Sequence, residues 1–328
     1  MTERSERMNH KKRKASQTFL LPKESLGTIL RKDWSRNRYA YMLLLPVIAF
    51  YILFKFGPMS RMIIAFQDYK VFKGIAGSEF IGFQNFSTFF ATREFWRLLR
   101  NTLLLSFYSI IFHFPMPIIF AIMINEVKSR NAKRVMQTIS YMPHFISIVV
   151  ISGLLRNFLS SEGIINSLIG LLNSGWEKSN LLGNAEYFRT IVIGSDIWQQ
   201  MGWDSIIYLA TLSTIDPQLY EAAYVDGANK MQRILHVTLP GIVPVISVQF
   251  IMRLGAVMGV GFEKILLIYN PAVYETADVI GTYMYRYAFL SSKYGLGAAV
   301  GVFNTLINII VLITVNSVFR RVSENSLW

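Results

Sequence analysis

The sequence contains no cysteine, and this absence excludes several classes of site. A chain without cysteine has no disulfide framework, no catalytic thiol and no cysteine-ligated metal. Four histidines are present, but their positions show none of the short spacings typical of histidine metal ligands. We therefore predict no metal site and no cofactor. The four histidines are His10, His113, His144 and His236.

The sequence also lacks the short motifs that carry ATP hydrolysis and common hydrolase chemistry. No G-x-x-x-x-G-K-[ST] run is present that could hold nucleotide phosphates. No G-x-S-x-G elbow occurs, and no paired carboxylates stand in a polar segment. The chain is therefore predicted not to be an enzyme.

Charged residues are scarce, at 16% of the 328 residues, whereas soluble domains carry about 25%. Hydrophobic residues make up 52% and the mean hydropathy is +0.36. Because so little of the surface can be charged, we predict that lipid contacts much of it. The sequence is that of an integral membrane protein.

Apolar runs long enough to cross a bilayer occur six times. A helix needs about 20 mostly apolar residues to span the hydrocarbon layer. We therefore predict an all-α membrane protein with six transmembrane helices, the second kinked at Pro115 and Pro117. The predicted spans are 39–56, 101–124, 139–158, 190–212, 242–268 and 296–319.

The net charge of +13 is compatible with nucleic-acid binding or with a membrane protein whose cytoplasmic side is basic. Its distribution favours the membrane, because eleven lysines and arginines fall within residues 1–38, directly before the first span. No nucleic-acid partner is predicted. Further basic residues follow spans two, four and six: Lys128, Arg130, Lys133 and Arg134, then Lys230 and Arg233, then Arg320 and Arg321.

These charges place both termini in the cytoplasm by the positive-inside rule. The predicted domains are a basic tail at 1–38, a transmembrane domain at 39–320 and a short tail at 321–328. The N-terminal tail is too long and polar for a secretory signal, so we expect the first span to be retained. A short amphipathic helix near residues 26–34 is a further possibility.

The predicted cytoplasmic loop at 213–240 has the pattern of two short helices joined by a turn. Asp216 is a good helix cap, and Pro217 suits the first helical position. Gly227 is suited to a left-handed turn, and Asn229 is placed to start a second helix that Pro240 ends. Small apolar residues on one face suit docking into a groove of another protein.

The same loop carries a motif that is similar to a known family. Glu-Ala-Ala at 221–223 is followed at fixed spacing by Gly227, Val237 and Leu239–Pro240. This pattern resembles the EAA loop of membrane subunits in binding-protein-dependent ABC importers, in which isoleucine usually stands where Val237 does. The resemblance implies that the loop docks into a cleft of a separate ATPase subunit. The implied coupling residues are Glu221, Ala222, Ala223, Asp226, Gly227, Leu239 and Pro240.

Over residues 36–322 the chain further resembles the polysaccharide-type branch of sugar importer permeases. The resemblance is carried by runs such as Gly202–Trp203, Tyr269–Asn270–Pro271 and Asp278–Val279–Ile280. It implies the bacterial cytoplasmic (inner) membrane, a second and usually non-identical six-helix permease, two ATP-binding cassette subunits and an extracytoplasmic solute-binding protein. The implied substrate is an oligosaccharide, and because the branch includes an alginate importer, alginate is a candidate. The sugar itself is left open.

Polar residues inside the predicted spans are candidates for the substrate pathway. Asp196, Gln200 and Asp204 are four residues apart and so share one helix face. Acids there can accept hydrogen bonds from sugar hydroxyls, or they can join helices; for Asp196 a helix contact is the preferred interpretation. Trp198 and Trp203 could stack on sugar rings.

In span five, Arg253 and Glu263 are further candidates for the pathway. An unpaired arginine at mid-depth costs about 3 kcal/mol. We predict that Arg253 pairs with an acid such as Asp204, or else faces the pathway, where it would favour acidic sugars. Three glycines, Gly255, Gly259 and Gly261, predict close packing or a broken helix in this span. His113 and His144 are predicted to be packed, hydrogen-bonded residues.

Two other functions fit a polytopic membrane protein. One is a membrane enzyme acting on lipid-linked sugars, although the acids in the predicted outer loops are scattered rather than clustered. The other is a channel or secondary transporter, whose uptake would survive ATP depletion. An importer subunit should instead co-purify with an ATPase.

Overall fold

A computed structural model describes residues 26–259 and 261–322, and within these ranges the protein is helical apart from one small sheet. The chain divides into two compact units, Met1–Arg61 and Met62–Trp328. The predicted basic tail up to residue 25 and the end of the chain from residue 323 lie outside the described residues.

The first unit contains one long helix, α1, at Leu26–Tyr51. Asn37 inside it has non-helical angles (φ −115°, ψ 18°), so the backbone breaks at the point where the first apolar run begins. A π-helical turn at Ile52–Phe56 and a short helix at Gly57–Ser60 follow. A helix is therefore present near residues 26–34, and it is followed, after the break at Asn37, by the helix of the first apolar segment.

The second unit contains the remaining main helices. In chain order they are α2 (Gln84–Ala91), α3 (Phe95–Tyr108), α4 (Pro115–Asn125), α5 (Arg130–Tyr141), α6 (Ile148–Phe158), α7 (Ile164–Leu172), α8 (Ala185–Leu212), α9 (Pro217–Val225), α10 (Lys230–Arg233), α11 (Leu239–Gly255), α12 (Phe262–Ile268), α13 (Ile280–Tyr285) and α14 (Tyr294–Val322). Single turns of other geometry join them: 3-10 turns at Met142–Phe145, Leu181–Gly183, Val257–Gly259 and Pro271–Val273, and π turns at Ser109–His113, Ile234–Thr238 and Arg286–Leu290.

One antiparallel hairpin precedes α2. Gln67–Asp68 pairs with Glu79–Phe80, with Gln67 opposite Phe80. The buried Gln67 side chain donates to the Ile75 carbonyl oxygen (2.9 Å) and so closes the loop between the strands.

Four continuous helical segments of the described residues are long and apolar enough to cross a membrane: Arg36–Phe66, Phe95–Asn125, Lys230–Gly255 and Tyr294–Arg321. A fifth candidate is a pair, Arg130–Phe145 and Ile148–Phe158, bent by 95°. Helix α8 has 28 residues, about 42 Å at 1.5 Å per residue, but it carries too many polar side chains to be counted with them. The number six therefore stays a prediction.

The predicted third span at 139–158 contains a bend in the structure. The 3-10 turn ends at Phe145, and Ile146 is extended, with ψ 130°. Ser147 then caps α6 by accepting a hydrogen bond from the Val150 N–H (3.3 Å). The chain breaks because a capping serine and the turn around Pro143 outweigh the apolar run.

The fifth span breaks at its glycines, as predicted. Helix α11 ends at Gly255, where an added Cβ would lie 2.8 Å from the Leu312 side chain of α14. Gly261 has φ +71°, a left-handed conformation in which glycine avoids the strain of a side chain, and α12 starts directly after it.

The prediction that Pro240 ends the second loop helix is also wrong. The helix continues from Lys230 to Gly255 because the π turn Ile234–Thr238 comes directly before Leu239 and Pro240. In that turn the Leu239 N–H bonds to the Ile234 carbonyl oxygen, five residues back. Proline has no N–H to donate, and its ring clashes with the carbonyl group of the preceding helical turn. The wider π turn leaves room for the ring, so the helix continues through Pro240. Ser109–His113 precedes Pro115 in the same way.

Helix α8 contacts α4, α5 and α11. Gly202 permits the close approach to α5, since a Cβ there would overlap the Ser140 carbonyl group. A buried core of Ile118, Ala121, Tyr208, Leu212 and Ile242 joins α8 to α4 and α11. This packing fixes the position of α8, which carries the predicted polar residues, relative to α4, α5 and α11.

Candidate functional site

The loop after α8 folds as the sequence predicts. Asp216 caps α9 by accepting from the Gln218 N–H (2.9 Å), and Pro217 is the first helical residue. Gly227 takes φ +78°. Asn229 and Gln232 then form a reciprocal capping box (2.7 and 3.0 Å) that starts α10. We call residues 213–240 the coupling loop.

The coupling loop presents an accessible surface. Glu221, Ala222, Asp226, Gly227 and Pro240 are exposed, while Ala223 and Leu239 are half-buried. Two apolar side chains of α9 stand out, with Tyr224 73% and Val225 84% exposed. Beside them a hollow of about 310 Å³ is lined by Ala223, Asp226, Gly227 and Gln232, among others. Exposed apolar side chains around a shallow hollow are typical of a protein–protein contact surface.

The coupling loop is attached firmly to the helices above it. Ile215 packs so closely on Gly241 that an added Cβ would lie 2.6 Å from its side chain. Within the loop, the Tyr220 hydroxyl lies 3.1 Å from Thr238 Oγ1. Lys230 pairs with Glu126 at the end of α4 (3.2 Å). These contacts, together with chain connectivity, join the loop to α4, α8 and α11.

Two cavities of about 730 and 520 Å³ share four lining residues, His113, Asp204, Arg253 and Ala256. Because they share these residues, the two cavities adjoin each other along α8, and we call them together the cleft. Other lining residues of the larger cavity include Phe114, Trp203, Tyr208, Gln249 and Met252. Those of the smaller include Asp196, Gln199, Gln200, Glu263 and Lys264.

The cleft collects five of the six predicted pathway residues: Gln200, Trp203, Asp204, Arg253 and Glu263. Trp198, the sixth, lines neither cavity. At 100° per residue it lies roughly 160° around α8 from Gln200, and its side chain is 51% exposed on that other face.

The predicted ion pair between Arg253 and Asp204 is not formed. Arg253 Nη2 donates instead to Ser109 Oγ (2.5 Å) and to His113 Nδ1 (2.9 Å). His113 lies between the two charged groups, with Nε2 3.7 Å from Asp204 Oδ2. The alternative prediction, that Arg253 faces the cleft, agrees with its place in the lining of both cavities.

His144 lies at the bend between α5 and α6 and makes a second set of polar contacts with α8. Its Nδ1 lies 2.7 Å from Gln200 Oε1, and its ring stacks on Trp203 with 4.2 Å between centroids. Phe145 meets Trp203 edge-on. His113 and His144 are thus packed and hydrogen-bonded, as predicted, and Trp203 packs against His144 and Phe145 while it lines the cleft.

Asp196 joins two helices, in agreement with the preferred interpretation of this residue. It forms a salt bridge with Lys264 of α12, which also donates to Ser195 Oγ (3.1 Å). The Lys264 side chain is 2% exposed and that of Asp196 is 17% exposed. Lys264 was not among the predicted residues. The signal was available, because a lysine inside the apolar run of α12 requires a buried partner.

Replacing Lys264 with methionine should destabilise the protein by about 3 kcal/mol, because Asp196 would keep a buried charge without a partner. The double variant Lys264→Met/Asp196→Leu should recover most of this loss, since two apolar residues need no partner. Thermal unfolding of the purified variants in detergent measures both. A double variant as unstable as the single one contradicts the interpretation of the pair.

A second buried acid lies in the segment after α12. Asp278 is fully buried and accepts two hydrogen bonds from Arg286 (2.6 and 2.8 Å), with Arg97 3.3 Å away. Arg100 pairs with the exposed Glu275 (2.5 Å), and this hydrogen bond holds the pKa of Glu275 below its usual value. These pairs join α3 to the segment 274–286. They were not predicted, although Asp278 belongs to a run quoted for the resemblance.

No group of three or more metal-ligating side chains occurs among residues 26–259 and 261–322. The lining of the cleft includes acids, amides, an arginine and aromatic residues, which are groups that bind a polar organic molecule.

A family model for binding-protein-dependent transport system inner membrane components matches residues 113–324. The chain belongs to this family. It is a transport component of the inner membrane rather than an enzyme, as predicted.

Two relatives of the permease are proteins of Bacillus subtilis (strain 168). It is 37% identical over 294 residues to protein LplB, a match that covers 89% of this chain and 92% of that protein. It is 38% identical over 294 residues to the polygalacturonan/rhamnogalacturonan transport system permease protein YteP, covering 89% and 91%.

Two solved structures resemble the permease over nearly its whole length. One is a bacterial ABC transporter involved in the import of the acidic polysaccharide alginate, with 43% identity, TM-score 0.81 and coverage of 89% of this chain and 98% of that one. The other is an alginate ABC transporter in complex with an alginate pentasaccharide-bound periplasmic protein, with 42% identity, TM-score 0.83 and coverage of 90% and 99%. The predicted ABC importer permease fold is confirmed, whereas six spans and cytoplasmic termini stay predictions.

Proposed function

We propose that this permease forms one half of the membrane path of an ATP-driven importer of an oligosaccharide. A solute-binding protein delivers the sugar from outside, and a second, non-identical six-helix permease completes the path. Two ATP-binding cassette subunits dock on the coupling loop. The names of the relatives support a polysaccharide-derived substrate, since they include polygalacturonan/rhamnogalacturonan and alginate transporters.

One observation carries the proposal: the helices that line the cleft are the helices that bear the coupling loop. The loop begins where α8 ends and continues without a break into α11. Trp203 and Asp204 of α8 and Arg253 of α11 line the cleft. A push on the loop therefore moves both walls of the cleft at once.

Alternating access follows from this connection. When the ATPase subunits close, the docked loop moves with them, and α8 and α11 tilt as a packed pair around the buried Tyr208–Ile242 contact region. The cleft then opens toward the solute-binding protein, and it returns to the inward side after ATP hydrolysis. The chemical step belongs to the partner chains, while the loop Glu221–Gly227 with Leu239 and Pro240 transmits the movement.

Glu221→Lys is expected to weaken ATPase docking without removing the permease from the membrane. Reversing a charge at a docked surface costs about 2 kcal/mol, which lowers the docking equilibrium about thirtyfold. The amount of ATPase that co-purifies with the tagged permease measures this, together with ATP-driven uptake of oligosaccharides in liposomes.

Glu177→Lys is the matched control, because Glu177 is also exposed but lies in the predicted outer loop. It should retain ATPase binding. If the Glu221 variant binds the ATPase and takes up sugar as well as the wild type does, the proposal that the ATPase docks on the coupling loop is contradicted. Uptake that persists after ATP depletion would instead indicate a channel or secondary transporter.

A further inference from the structure

A third cavity, of about 410 Å³, lies between α8 and the end of α3. Tyr108 and Phe112 line it on one side, and residues of the first half of α8 line it on the other. It shares no lining residue with the cleft. Its volume falls in the range of about 300–1,000 Å³ that is usual for small-ligand sites. We call this cavity the groove.

The groove is polar at one end and apolar at the other. Glu186, Arg189 and Thr190 line the polar end, close to the start of α8. Ile193 and Ile197 line the apolar end, and Ile197 lies about 12 Å along the helix from Arg189. In the predicted orientation α8 starts at the outer side of the membrane. The groove therefore changes from polar to apolar in the same direction as the outer half of a bilayer, from its headgroups to its hydrocarbon core.

Glu186 and Arg189 have no charged partner among residues 26–259 and 261–322. They form no salt bridge of 4.0 Å or less with each other or with another described residue. Arg189 Nη2 donates to a neutral acceptor, Asn101 Oδ1 (2.8 Å). The nearby acid Glu275 is already paired with Arg100 (2.5 Å). Residues three apart on a helix are neighbours, so the groove offers a cation beside an anion, each without a counter-charge in contact.

The open side of the groove adjoins an exposed apolar surface. Gly194 is exposed, and no atom lies within 4 Å of a Cβ added there. Leu103, Phe107 and Ile111, on α3 and its π turn, are four residues apart and are 44%, 55% and 44% exposed. The Phe107 ring lies 6.1 Å from that of Tyr108, which lines the groove. An exposed apolar row within a predicted span is suited to contact lipid, so an acyl chain can enter the groove from the side.

We propose that the groove binds a membrane phospholipid with a zwitterionic headgroup, such as phosphatidylethanolamine. The phosphate accepts hydrogen bonds from the Arg189 guanidinium, and the ammonium donates to the Glu186 carboxylate. One acyl chain lies along Tyr108 and Ile197. A lipid with only a negative charge would leave Glu186 without a partner, and a free phosphate would leave the apolar end empty. This assignment does not depend on the identity of the transported sugar.

A lipid in this position connects the outer leaflet to the helix that lines the cleft. Trp203 and Asp204 line the cleft from α8, and the coupling loop starts at the end of the same helix. The bound lipid fills the space between α3 and α8, so its loss removes support from α8. We therefore expect sugar-stimulated ATPase activity to depend on the lipid.

The test measures lipid binding to the complete transporter in detergent solution. The probes are phosphatidylethanolamine and phosphatidylglycerol that carry the same photoreactive acyl chain, and mass spectrometry locates the labelled peptides. The wild type should be labelled at residues 108–112 and 190–197, at a lower half-maximal concentration for phosphatidylethanolamine. Arg189→Gln should raise the half-maximal concentration of both lipids about tenfold, because each has a phosphate. Glu186→Gln should raise that of phosphatidylethanolamine alone, because only this headgroup carries an ammonium.

Gly194→Leu closes the groove without a clash with its neighbours. The leucine extends into the space that the lipid would occupy, so labelling of both segments should be lost. Sugar-stimulated ATPase activity in vesicles that contain phosphatidylethanolamine should fall as well. Gly153→Leu is the matched control, since Gly153 is also an exposed helical glycine with no atom within 4 Å of an added Cβ. It lines neither the groove nor the cleft and should bind lipid as the wild type does.

Three results would overturn the proposal. Labelling of Gly194→Leu at the wild-type level refutes the groove as the lipid site. Equal half-maximal concentrations of the two probes in the wild type refute the zwitterionic headgroup. A photoreactive phenylalanine analogue in place of Phe112 that captures the second permease instead of lipid identifies this face as a subunit contact. Labelling requires neither sugar nor ATP, so these results are separate from those that test the proposed function.

Discussion

Gly227→Pro is expected to abolish ATP-driven uptake while the permease remains in the membrane. Gly227 has φ +78°, whereas proline fixes φ near about −65°. Proline would also remove the N–H that donates to the Tyr224 carbonyl oxygen (3.1 Å). The turn between α9 and α10 would then have to rearrange. Backbone strain of about 2 kcal/mol is within the usual range, and it reduces docking about thirtyfold.

The measurement is sugar-stimulated ATPase activity of the reconstituted complex, with unstimulated activity recorded beside it. Gly227→Asn is the matched control, because asparagine adopts the left-handed conformation at low cost and no atom lies within 4 Å of an added Cβ there. We expect Gly227→Asn to retain most of the stimulation. Equal activity of the proline variant would show that the geometry of this turn does not matter for coupling.

Asp278→Ala should destabilise the protein by about 3–5 kcal/mol, because it leaves arginine charge buried without its acceptor. The Asp278 side chain is fully buried, and that of Arg286, its bidentate partner, is only 17% exposed. Asp278 also accepts from Thr282 Oγ1 (2.7 Å) and lies near Arg97. Thermal unfolding in detergent, followed by circular dichroism, measures the loss.

Glu275→Ala is the natural comparison. Glu275 also pairs with an arginine, at 2.5 Å, but its side chain is 64% exposed. Exposed ion pairs contribute little to stability, since water solvates both partners in the unfolded state as well. Glu275→Ala should leave the unfolding temperature nearly unchanged. Equal losses for the two alanine variants would mean that burial does not determine the strength of these pairs.

Local signals in the sequence predicted the coupling loop correctly. Asp216, Pro217, Gly227 and Asn229 each act through their own backbone or their nearest neighbours, so their conformations follow from residue type. Pro240 was misread for the opposite reason. Whether a proline ends a helix depends on the turn before it, and nothing in the residue order of 234–238 distinguishes a π turn from an α-helical one.

The polar face of α8 was predictable because residues four apart share a helix face, and Gln200, Trp203 and Asp204 do line the cleft. The partners that these polar side chains have on other helices could not be predicted. Arg253 and Asp204 were expected to pair, but position along a helix does not give the direction in which a side chain points, and His113 lies between them. Lys264 shows the same limit, because its partner Asp196 is 68 residues away in the chain.

The π turn at Ile234–Thr238 determines how far the residues of α11 are rotated about the helix axis relative to the coupling loop. A π turn holds one residue more than an α turn, and one residue corresponds to roughly 100° of rotation about a helix axis. Without that extra residue, Arg253 would point to a different side of the bundle for the same position of the loop. The widened turn thus determines which side chains of α11 line the cleft for a given position of the coupling loop.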